Sequence, residues 1–171
     1  MFTQQLSQNQ ALARPVSLSK EIVGKDVLDS SGFKAGRVRD LAVRLTDEGV
    51  KVTGVVVNNR FVPWSVVKSF GMDLYLNTRW FAIGPQPIPG DALLVCQHLL
   101  GEQLLDQHGR SMGHVDDIGL VWDANAHELK FNHVLTGPYL SIGMPQGSKQ
   151  IPWSHVLGIK QKPRAVIVKR L

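Results

Sequence analysis

A single cysteine, Cys96, is all that these 171 residues contain, so no intrachain disulfide can staple the fold. It lies in the apolar run Ala92-Leu93-Leu94-Val95-Cys96, where a buried structural thiol is expected rather than a nucleophile. Long apolar stretches are missing too, and nothing approaches the roughly 18 residues of a membrane-crossing helix. The opening residues, Met1-Phe2-Thr3-Gln4-Gln5, have neither a basic region nor an apolar core of the signal-peptide kind, so a cytoplasmic location is expected. Aromatic side chains make up only 7% of the chain, which offers no obvious platform for stacking bases. Catalytic signatures are lacking: there is no G-x-S-x-G elbow and no phosphate-binding glycine loop, and Ser65 and Ser154, each after Pro-Trp, read as caps of a helical turn rather than nucleophiles. No enzyme, no catalytic residue and no cofactor is therefore expected.

What the chain does have is a repeat. Gly24, Leu28, Asp29, Gly32, Gly36, Val38 and Asp40 recur 77 residues later as Gly101, Leu105, Asp106, Gly109, Gly113, Val115 and Asp117. A closing phrase, Phe61-Val62-Pro63-Trp64-Ser65, recurs 89 residues later as Ile151-Pro152-Trp153-Ser154. The two offsets differ by 12, which places an insertion, residues 136–147, inside the second copy. Duplicated turn and core residues without a duplicated catalytic set point to a binding or scaffolding architecture.

The local patterns are those of strands. Asp29-Ser30-Ser31-Gly32 and Asp106-Gln107-His108-Gly109 have the composition and order of turns, with Asp to bond nearby amides and Gly to take positive φ. After each turn the apolar alternation slips by one residue, from Val38 to Leu41, Val43 and Leu45, and from Val115 to Ile118, Leu120 and Trp122. A β-bulge near Asp40 and Asp117 would restore the inward face. Residues 1–16 are polar and aperiodic and read as a flexible tail. The first unit is assigned to 17–83, a stiff proline-spaced connector to 84–91, and the second unit to 92–171, with 136–147 as a long loop. Asp91 is a candidate cap for a helical segment ahead of Leu100, and Ser65 and Ser154 for the turns after Pro-Trp.

Charge is distributed unevenly. Residues 1–79 hold 11 basic and 7 acidic side chains, residues 80–159 hold 3 and 7, and residues 160–171 hold 5 and none. A basic first half and an acidic second half could dock on each other. All six histidines fall in the second unit, but none has the spacing of a metal-ligand motif, so no metal is expected.

Gly32-x-x-x-Gly36-x-Val38-x-Asp40 and Val62-Pro63-Trp64, both present twice and in order, resemble the PRC-barrel superfamily. The resemblance covers nearly the whole chain after residue 16. It implies an all-β protein of two small, highly curved antiparallel barrels in tandem. Such barrels occur in the cytoplasmic part of the photosynthetic reaction-centre H subunit and as the C-terminal domain of a ribosome maturation factor. The family has no common catalytic residues to carry over.

Three roles follow as expectations. The first is a non-enzymatic adaptor that binds a protein or self-associates, with Arg79, Trp80, Phe81, Tyr139, Leu140, Ile142 and Met144 as contact anchors. The second is an RNA- or ribosome-associated factor that uses Arg37, Arg39, Lys160, Lys162, Arg164, Lys169 and Arg170 as phosphate contacts. The third, implied by the family, is a regulatory module associated peripherally with a membrane or photosynthetic complex.

Overall fold

A computed structural model describes residues 13–137, 139–141, 144–146 and 149–170, with side chains of residues 138–148 outside the description. The chain is mostly strand. The first sheet is built from β2 (Asp26–Leu28), β3 (Lys34–Thr46), β4 (Gly49–Val57), β5 (Arg60–Pro63), β6 (Val67–Phe70) and β7 (Leu74–Leu76), in the order β5-β4-β3-β2-β7-β6. The second repeats it with β9 (Gln103–Asp106), β10 (Ser111–Asp123), β11 (Glu128–Thr136), β14 (Lys149–Pro152), β15 (Val156–Gln161) and β16 (Arg164–Val168), in the order β14-β11-β10-β9-β16-β15.

These sheets are all-β but not purely antiparallel. The β2–β7 and β9–β16 pairs are parallel, because each chain path leaves the sheet centre through two hairpins before returning beside its first strand. Among the described residues each sheet is an open path of strands, and no closed barrel forms.

The bulges sit where the apolar pattern slips. The β3–β4 register shifts between Val38 and Asp40, and the β10–β11 register between Val115 and Asp117. Gly32 and Gly109 close their turns at φ +84° and +78°, which side-chain-bearing residues rarely adopt. The turns behind Pro63 and Pro152 are 3-10 segments, Trp64–Val66 and Trp153–His155, with no side-chain cap. Ser65 and Ser154 lie inside these turns and cap neither.

Two segments break the expected layout. Residues 13–17 are not tail but β1 (Ala13–Ser17), paired antiparallel with β10 from Ala13↔Asp123 to Ser17↔Gly119. In the reciprocal position, β8 (Leu93–Leu94) at the head of the second copy pairs with β3, Leu93 opposite Val43 and Leu94 opposite Ala42. Each copy thus lends its leading strand to the other copy's long strand. The polarity of residues 1–16 hid this, because Val16 is the one buried side chain in the described part of that stretch.

The repeated aspartates fasten the exchange. Asp40 accepts from the Cys96 amide at 2.7 Å and the Gln97 amide at 3.0 Å, at the start of the short helix Val95–His98. That helix has no cap from Asp91, which instead pairs with Arg44 at 3.0 Å. Asp117 accepts from the Ser19 amide at 3.1 Å and from the Ser17 and Ser19 hydroxyls at 2.6 and 2.8 Å, at the start of the π-helical turn Leu18–Ile22, which Ser17 caps. Both carboxylates are buried, and each also takes the amide of the residue that follows it, Leu41 or Ile118. A bulge turns each aspartate away from its own ladder, which frees both oxygens for the partner segment.

The apolar core is continuous between the halves. Val16, Leu18 and Ile22 join it beside Val38, Leu41, Val43, Val115, Ile118 and Leu120. Opposite charges meet once between residues 1–79 and residues 80–159 among the described residues, where Arg44 pairs with Asp91 at 3.0 Å, both side chains more than half exposed, and no ion pair joins residues 17–83 to residues 92–170. An aromatic seam serves instead. Trp64 and Phe70 of the first half pack edge-on to Trp122 of the second, at centroid distances of 6.1 and 6.2 Å. The Trp64 indole nitrogen donates to the His127 carbonyl at 3.0 Å.

Candidate protein interface

Asp29 organises the surface that stands out. Its Oδ1 accepts from the Ser31 amide at 2.8 Å, the Ser31 hydroxyl at 2.7 Å and the Phe33 amide at 2.9 Å, which fixes the turn carrying Phe33. Its Oδ2 accepts from the Trp80 amide at 2.9 Å, which caps the short helix Trp80–Ile83. The Trp80 amide, followed by the bonds of the 31–33 turn, holds this carboxyl down at about 2.

One carboxylate therefore positions two rings from distant parts of the chain. Phe33 and Phe81 lie 5.5 Å apart, centroid to centroid, tilted by 40°. Phe81 is 80% exposed and Phe33 46%, so the pair presents apolar surface to solvent on a fixed backbone. Arg79 is exposed immediately before it.

Trp80 does not belong to that surface. It is 6% exposed, packs in the main core with the Arg60 guanidinium 5.4 Å above its ring, and is a structural residue. The sequence placed it among the contact anchors because three large side chains in a row do not reveal which one turns inward. Phe33 was missed, since it lies 48 positions from Phe81 in the chain.

The second copy builds no such pair. Asp106 accepts from the His108 and Arg110 amides, each at 2.9 Å, and these bonds, that of Arg110 foremost, lower its carboxyl below the usual range. Among the described residues its Oδ2 has no hydrogen-bond donor, and it lies 3.7 Å from the Arg170 guanidinium. Arg110 stands where the first copy has Phe33.

Within the insertion, β12 (Tyr139–Ser141) and β13 (Met144–Gln146) pair antiparallel. The side chains of Tyr139, Leu140 and Met144, and all of Ile142, lie outside the described residues.

The basic residues are scattered in their circumstances. Arg37 is paired with Asp26 at 3.1 Å and Arg170 lies near Asp106, while Arg39, Lys160, Lys162 and Lys169 are exposed without an ion pair among the described residues. Arg164 is half-buried. Among the described residues no three His, Cys, Asp or Glu side chains gather into a metal-binding group. Cys96 is half-buried, its thiol pushed up to about 12 by burial and then by the charge of Asp40. At neutral pH it is a protonated thiol, unsuited to nucleophilic chemistry.

No protein-family model matches this chain, and no curated protein matches it. No helix among the described residues is long and apolar enough to cross a membrane.

Proposed function

We propose that this chain is a non-enzymatic binding protein of the PRC-barrel type, an adaptor that engages a protein partner through the Phe33–Phe81 surface. The observation that carries the reading is an 80% exposed phenylalanine, Phe81, packed at a tilt against Phe33, with the Phe33 amide and the Trp80 amide next to Phe81 both donating to the Asp29 carboxylate. Rigid exposed aromatic side chains make strong contact anchors because little conformational entropy remains to be lost on binding. The family assignment rests on the repeated turn, bulged strand and Val-Pro-Trp order, and the open strand paths depart from a closed barrel.

The test is affinity purification of the full chain from its native cell after brief crosslinking, beside Phe81→Ala and the double variant Phe33→Ala, Phe81→Ala. The reading expects one protein recovered by the native chain and lost in the double variant, with thermal stability changed by no more than about 0.5 kcal/mol per surface site. Equal recovery by the double variant would falsify it.

An RNA-associated role is the second reading, favoured by Arg39, Lys160, Lys162 and Lys169 standing exposed without ion pairs among the described residues. It requires binding that falls steeply with salt and vanishes when these four are neutralised.

A further inference from the structure

The repeat lets one half predict what should fill the same space in the other. In the first of the two equivalent places, Trp122 stands opposite Arg14 in the β1–β10 ladder. Its ring meets Phe70 at 6.2 Å, and the Arg14 guanidinium lies 5.4 Å from the Phe70 centroid. That space is filled by aromatic rings.

In the second place both Trp122 and Phe70 are replaced. The 77-residue offset puts Leu45 where Trp122 stands and Asp91 where Arg14 stands, and the 89-residue offset puts Ile159 where Phe70 stands. The ladder is shorter as well: β8 makes two pairs with β3, whereas β1 makes five with β10. Pro89 and Gly90 lie just ahead of β8, and proline has no amide with which to extend it. A groove of about 520 Å³ remains, lined by Arg44, Leu45, Asp91, His98, Gln161 and Arg164 with Ala92 and Leu93. Leu45 is 43% exposed there, against 7% for Trp122 in its filled counterpart.

The groove's chemistry favours an anion. His98 accepts the Leu94 amide on Nδ1 at 3.0 Å, so its proton sits on Nε2 and that atom is a donor. Arg164 has its Nε enclosed with no acceptor among the described residues, an unusual state for a buried donor. Arg44 shares its charge with Asp91, the one carboxylate on the lining. Two guanidiniums, an imidazole N–H and an amide thus stand against a single carboxylate, beside apolar Leu45, Ala92 and Leu93.

We infer that this groove binds a small organic oxyanion, a phosphate monoester or carboxylate on an apolar body. Its volume falls in the usual range of ligand sites, about 300 to 1,000 Å³. The guanidiniums would hold the oxyanion and the leucines the body. This site does not rest on the adaptor reading, because it lies on β3, β8, the helix Val95–His98 and the β15–β16 hairpin, not at Phe33 and Phe81.

The test titrates the full chain with phenyl phosphate, benzoate and inorganic phosphate, followed by calorimetry and by backbone amide shifts. Saturable binding of phenyl phosphate or benzoate is expected, with shifts at Leu93, Leu94 and His98, and which of the two binds tighter names the headgroup. Arg164→Gln should weaken binding about tenfold, the loss of one charge-assisted contact. Leu45→Trp, which copies Trp122 and leaves both arginines in place, should abolish binding without lowering the melting temperature. The proposal is overturned if none of the three anions saturates, or if Arg164→Gln and Leu45→Trp bind like the native chain. Equal affinity for inorganic phosphate, or binding of an oligonucleotide alone, overturns it as well.

Discussion

The Cys96 amide donates to Asp40 at 2.7 Å across 56 residues of chain, and 77 positions later in the repeat the Ser19 amide donates to Asp117 at 3.1 Å. The same aspartate thus clamps, in each copy, the segment that introduces the other. Each clamp joins a bulge to the start of a helical turn, where amides otherwise lack partners. The two halves are fastened by this exchange, to which the exposed Arg44–Asp91 ion pair adds little.

Asp40→Ala should therefore cost about 2 to 4 kcal/mol, since it orphans the Leu41, Cys96 and Gln97 amides together. Asp117→Ala should cost about as much for the Ile118 and Ser19 amides and the two serine hydroxyls. Denaturant melts of both variants measure this, and unchanged midpoints would remove the clamp from the account.

Cys96 reports on the same contact. Burial first, then the Asp40 charge, push its thiol up to about 12, so alkylation of the folded chain at pH 8 should be far slower than that of the unfolded chain. Asp40→Asn removes the charge and should speed the reaction at pH 8 in protein still folded by circular dichroism. A rate insensitive to that substitution would mean that Asp40 does not govern the thiol.

Asp29 sets a pH dependence. Its carboxyl is held down at about 2 in the fold, so its contribution is fully present above the ordinary carboxylate range near pH 4 and is lost as pH falls through about 2. Asp106 and Asp26, both lowered, act in the same direction, Asp106 through the Arg110 amide and Asp26 through Lys34. Stability should decline from about pH 4 downward, and Asp29→Asn should flatten part of that decline. An identical acid profile for the variant would contradict this.

The repeat also supplies its own control for packing. Trp122→Ala should cost about 3 to 5 kcal/mol, because the indole is 7% exposed and meets Trp64, Phe70 and His127. Leu45→Ala at the equivalent position should cost less than about 1 kcal/mol, the side chain being 43% exposed. Similar losses at the two sites would mean that the halves are packed alike.

Removal of residues 1–22 should destabilise both halves. Val16, Leu18 and Ile22 are buried, each worth about 1.5 to 3 kcal/mol, and β10 would lose its β1 partner. A shortened chain that melts as cooperatively and as late as the full one would show that the exchange is dispensable.

Turns, bulges and the Val-rich strands were legible in the sequence because each is specified locally. Asp29 with Gly32 makes a turn wherever it is placed, and the slip from Val38 to Leu41 marks a bulge in any sheet. The exposed aromatic pair is legible only in part: Phe81 stands out in the run Arg79-Trp80-Phe81, Phe33 does not, and Trp80 of that run turns into the core. Three adjacent large side chains carry no record of orientation until the Trp80 amide meets Asp29, 51 residues away.

The sequence by itself determined that this protein is duplicated, rich in strands, and punctuated twice by the same turn and bulge, since those signals depend on neighbours a few residues apart. The tertiary structure alone decided that the copies exchange their leading strands and that the repeated aspartates hold them. It also decided that Trp122 fills a space which Leu45 leaves open. The reason is that a strand's hydrogen-bonding groups are the same whichever strand it joins, so only the packing of side chains 50 to 110 residues apart selects its partner.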